Sequence, residues 1–93
     1  MSTLEVTLAI GVTSDPILAI KPETTITAVP GGGGSVSVEY STSTEGKVTA
    51  GTANWQTWPA GSVTATTSDT LIGKITAIRA TALVAIGLLE VRN

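Results

Sequence analysis

From Thr3 to Ile10 the chain reads TLEVTLAI, with an apolar residue at every second position, and the same alternation returns in TTITAV, SVSVEYS and SVTATT. A period of two is that of a β-strand, whose successive side chains point to opposite faces. The intervening residues are often threonine, of which the chain has seventeen, and β-branched side chains suit a pleated, half-buried surface. The pattern predicts an all-β chain, and 93 residues make one small β domain spanning residues 1–93. About seven short strands separated by turn signals predict a single antiparallel β-sandwich, jelly-roll or immunoglobulin-like, or else a small barrel. Helix content is expected to be near nil.

Segment by segment, Leu4, Val6, Leu8 and Ile10 share one face of the first strand, and Gly11 to Pro16 end it. PILAIKP, bounded by Pro16 and Pro22, is short enough for an edge strand, where proline's missing N–H is tolerated. TTITAV and SVSVEYS flank VPGGGGSV, and the second of them sets Val36, Val38 and Tyr40 on one face. A phosphate-binding loop would need a helix after its glycines, and usually a lysine, whereas a strand follows here. A flexible Gly-Ser spacer would interrupt the pattern, which is continuous. The tip of a β-hairpin is therefore expected at Gly31 to Gly34, where glycine tolerates positive φ.

Farther along, KVTAG and SVTATT read as short strands and NWQTWPAG as a loop. TLIGKITAIRATA and LVAIGLLEV read as two long strands joined by a tight turn near Ala82. Apolar parity changes between Val84, Ile86 and Leu88 on one side and Leu89 and Val91 on the other, which predicts a bulge or a strand buried on both faces. A C-terminal helix over ATALVAIGLLEV is disfavoured by Gly87 at its middle and by the lack of an N-cap followed by an acidic first turn.

The composition narrows function sharply. There is no cysteine and no histidine, so disulfides, thiol nucleophiles, the usual general base and the commonest zinc ligand are missing together. The acids occur singly, with no spacing for a calcium loop or a paired-carboxylate site. The expectation is a protein that is not an enzyme and uses no cofactor or metal. Lys21, Lys47, Lys74, Arg79 and Arg92 are scattered and the net charge is −2, which argues against nucleic-acid binding. The longest apolar run, Ala82 to Leu89, is far short of the roughly 20 residues that span a bilayer. The N-terminus lacks the basic region of a signal peptide, so the chain is expected to be made in the cytoplasm. With no Phe, one Tyr and two Trp the core is thin, while 42% of residues are apolar and 13% charged. Part of that apolar surface is expected to be covered by a partner, in a homo-oligomer.

Trp55 and Trp58 lie three residues apart, and with Tyr40 they are the candidate interface or ligand contacts. At least one indole is expected to close the open end of the core, the other remaining partly exposed and joined by Tyr40. Arg79, inside the apolar stretch ITAIRATA, needs a carboxylate or solvent, and Glu39, Asp69 and Glu90 are the candidates.

In order along residues 35–87, SVSVEYSTS, NWQTWPAGSV and ITAIRATALVAIG resemble small β-rich virion proteins of tailed bacteriophages, above all head decoration (cement) proteins and related head or tail accessory proteins. The resemblance implies a structural virion protein, often a trimer, that binds the major capsid protein or another virion protein. Such proteins commonly hold the capsid with an N-terminal arm; here alternation begins by Leu4 and leaves almost no free arm. The alternative is a carbohydrate- or receptor-binding β module of a phage tail fibre or spike, with Trp55 and Trp58 as the stacking surface.

Overall fold

A computed structural model describes residues 3–18, 23–72 and 75–92. These contain strands β1 (Thr3–Leu8), β2 (Ile17–Leu18), β3 (Glu23–Val29) and β4 (Ser35–Ser41), a helix α1 (Glu45–Ala50), and strands β5 (Gln56–Thr57), β6 (Thr67–Ile72), β7 (Ala77–Leu83) and β8 (Gly87–Arg92). Two four-stranded antiparallel sheets result, ordered β1-β8-β3-β6 and β2-β7-β4-β5. The fold is an all-β sandwich and not a closed barrel.

The pairing follows one rule. β1 pairs with β8, β2 with β7, β3 with β6 and β4 with β5, so the chain is a single antiparallel ribbon whose successive strand pairs fall alternately in the first and second sheet. This is the jelly-roll wrapping. Strand alternation supplies the core between the sheets: Ile26 and Ala28 of β3, Val36 and Val38 of β4, Ile78, Ala80 and Ala82 of β7, and Leu89 and Val91 of β8 are all buried. Threonines occupy several of the outward positions, whereas Thr24 of β3 is buried. Thr25 and Thr70 bond through their hydroxyls at 3.0 Å, and Thr27 and Ser68 at 2.7 Å, cross-strand pairs that each contribute about 0.2–1 kcal/mol.

Several sequence expectations are corrected. β3 and β4 lie in different sheets, so Gly31 to Gly34 form an arch between sheets and not a hairpin tip. Nor is KVTAG a strand: Thr44 caps α1 by accepting from the Lys47 N–H, and Gly51 at φ 79 ends it with its N–H on the Lys47 and Val48 carbonyls. These cap signals outweigh the β preference of Val48 and Thr49. TLIGKITAIRATA divides into β6 and β7, again in different sheets, with Gly73 and Lys74 outside the described residues. The turn expected near Ala82 lies at residues 84–86 and also crosses between sheets, and this crossing accounts for the parity change without a bulge. In SVTATT only Val63 forms an isolated bridge, with Val36, before β6 begins at Thr67. NWQTWPAG contains β5. Pro16 does precede an edge strand, β2, as expected; Pro22 lies outside the described residues.

Candidate interaction surface

Four connections meet at one end of the sandwich. The chain after β1 lies along the end of β7, with Ile10 bridging Ala82 and the Gly11 N–H on the Ala82 carbonyl at 2.7 Å. Beside it runs the β7–β8 arch, and against that the glycine arch between β3 and β4. Val36 and Val63 exchange backbone bonds at 2.9 Å and bring the β5–β6 connection alongside. Within the glycine arch, the Gly34 N–H bonds the Gly31 carbonyl at 2.9 Å, and Gly33 has φ 79, the positive φ required at the third position of a type II turn. The outer two glycines are fixed by proximity instead. A Cβ on Gly34 would lie 2.9 Å from both the Leu83 carbonyl oxygen and the Ala85 Cβ, and one on Gly31 would run into the Ile86 carbonyl oxygen.

The β7–β8 arch holds Val84 at φ 74, a left-handed conformation that costs an L-residue about 1–2 kcal/mol and is unusual for a β-branched one. The residue is 76% exposed. Ile86 is 60% exposed, and on the same arch or the adjoining β1–β2 connection Leu83, Ile10 and Val12 are each about half exposed. Among the described residues, these five and Leu4 are the exposed large hydrophobics. An apolar patch is thus gathered at one end by two neighbouring connections. The sequence reading missed Val84 and Ile86 because it placed them inside a strand; the parity break before Leu89 was the signal available.

Below the patch, the open flank of the sandwich is a groove of about 620 Å³ between β1, at the edge of the first sheet, and residues 12–17, along the edge of the second. Leu4, Val6, Leu8, Val12, Pro16 and Ile17 line it.

The predicted aromatic contacts do not form one platform. Trp58 is buried, with its indole N–H donating to the Gly61 carbonyl. Trp55 is half-buried, and the Arg79 guanidinium lies 4.2 Å from its ring centroid. Arg79 Nε also donates to Glu39 Oε1 at 2.9 Å, which selects Glu39 from the three candidate partners. β5 lies between the two tryptophans, and residues three apart in extended chain point to opposite faces. Tyr40 packs half-buried against the core and donates its hydroxyl to Gln56 Oε1 at 3.1 Å. Among the described residues, no group of three or more His, Cys, Asp or Glu could hold a metal ion.

No protein-family model, curated protein or solved structure matches the chain significantly.

Proposed function

We propose that the chain is a structural virion protein without enzymatic activity, a capsid decoration or cement protein that self-associates and binds the capsid lattice through its apolar end. The observation carrying this reading is the patch of Ile10, Val12, Leu83, Val84 and Ile86, whose most exposed member is held in a strained conformation. Local strain at an exposed position is commonly maintained for a binding role, and clustered apolar exposure is what a protein partner covers. The resemblance of residues 35–87 to phage decoration proteins points the same way, and the jelly roll is a fold in which viral capsid domains and lectins both occur.

The test is co-sedimentation with purified capsids of the phage that encodes the chain. Wild type is expected to pellet with capsids, and Val84→Asp to stay in the supernatant with unchanged far-UV circular dichroism. Wild type left in the supernatant would overturn the reading. The carbohydrate-binding alternative is weakened by the burial of Trp58 and by Arg79 on one face of Trp55. A glycan that shifts Trp55 fluorescence would revive it.

A further inference from the structure

The sandwich has four sheet edges, and they are unequal. Among the described residues, β2 and β5 are each two residues long, short templates for another strand. β6 is longer, but Asp69, directly opposite the buried Ile26, occupies the inward parity, and an inward charge on an edge strand opposes the addition of an apolar strand. β1 has neither protection. Among the described residues it is paired only with β8; its inward residues are Leu4, Val6 and Leu8, and beneath them lies the open groove.

We propose that β1 pairs antiparallel with β1 of a second copy across a two-fold axis at Val6, joining the two first sheets into one eight-stranded sheet. This deepens the self-association in the proposed function and rests on that part of it. The sequence of β1 selects the register. Matching faces in an antiparallel self-pair requires the axis to pass through a residue, and five-residue ladders arise when that residue is Glu5 or Val6. Centring on Glu5 sets two carboxylates directly opposite each other, which is destabilising. Centring on Val6 sets Leu4 against the partner's Leu8 and Glu5 against the partner's Thr7, so both inward faces stay apolar.

The occupant is a second copy because the edge is self-complementary. The net charge of −2 raises little repulsion between copies, and an isologous contact closes after two. A stable interface takes about 800 Å² from each partner, roughly one-sixth of the 5055 Å² that the chain exposes.

Light scattering after size exclusion at micromolar concentration is the first test: wild type is expected at twice the 9.4 kDa chain mass, and Leu4→Lys at the chain mass with unchanged circular dichroism. A monomeric or trimeric wild type overturns the proposal, as does a dimer that survives Leu4→Lys. Cross-linking reads the register in a second test. The chain has no cysteine, and Cα atoms directly opposite in an antiparallel pair lie within disulfide reach. Under mild oxidation Val6→Cys is expected to give mainly covalent dimer and Glu5→Cys little. The reverse result, or no covalent dimer from Val6→Cys, overturns the proposal even if Leu4→Lys fails to fold. A monomer whose β1 amides gain exchange protection only with added capsid protein also overturns it, in favour of a foreign strand. A dimer that ignores capsids leaves the two-fold standing and removes the lattice reading, whereas a capsid-binding monomer does the opposite.

Discussion

Val84 is where local preference and tertiary structure disagree most. Its φ of 74 suits asparagine or glycine better than valine, so Val84→Asn is expected to raise stability by up to about 1 kcal/mol, or roughly 4–8 °C in Tm for a domain of this size. On the proposed function, the same change is also expected to weaken capsid retention, because it removes the apolar apex. A drop in Tm would show that the valine side chain is supported in its conformation. The glycine arch allows a sharper comparison. Gly34→Ala places a methyl group 2.9 Å from Leu83 and Ala85 atoms and is expected to cost about 1–3 kcal/mol by overpacking. Gly32 has open space around it and no positive φ, so Gly32→Ala is expected to be neutral or to stabilise by about 0.4–1 kcal/mol. Urea denaturation of the pair measures both. Neither contrast was legible in the sequence, where four glycines look alike and valine looks like strand interior. The difference lies in what the folded chain brings beside them. The Glu39–Arg79 pair was legible only as a requirement, since the need for a carboxylate is local and its supplier is chosen by strand register.

At the scale of elements, alternation revealed where strands lie but not which strands are neighbours. Thr24 to Val29 and Ser35 to Ser41 have the right parity and the right glycines for a hairpin, yet they belong to opposing sheets. Facing sheets lie about 10 Å apart, against about 4.8 Å for paired strands, so the connection must be longer than a hairpin turn. Replacing Gly31 to Gly34 with Asn-Gly is accordingly expected to unfold the protein or destabilise it severely, which far-UV circular dichroism and thermal melting would reveal. A stable variant would mean that β3 and β4 can pair directly. α1 was missed for a different reason. Its six residues include Gly46, Val48 and Thr49, all poor helix formers, and its signals are at the ends. Thr44→Ala is expected to cost about 0.5–1 kcal/mol by removing the N-cap oxygen, with little effect on the strands, as a modest shift of the urea midpoint would show. The two tryptophans belong here too: had β5 been recognised as a strand, their three-residue spacing would have placed them on opposite faces.

For the molecule as a whole, fold class followed from composition and period, while topology did not, because a pairing rule that joins the first strand to the last leaves no mark on any local window. That rule also governs how the chain acquires its structure. β8 sits inside the first sheet, between β1 and β3, with Arg92 facing Thr3 on one side and Thr25 on the other. During synthesis, β1 and β3 therefore wait for the strand that joins them until residue 92 has left the ribosome. Folding must then close a loop that runs from Thr3 to Arg92, and all-β topologies dominated by such distant pairings fold in milliseconds to seconds. Stopped-flow refolding is expected to fall in that range. A chain ending at residue 86 is expected to show no cooperative unfolding, whereas a folded truncation would mean that the second sheet can form alone. Until β8 emerges, β1 lacks its partner among the described strands and β3 keeps one edge open, so the nascent chain presents unpaired strand edges until residues 87–92 are free to insert between them.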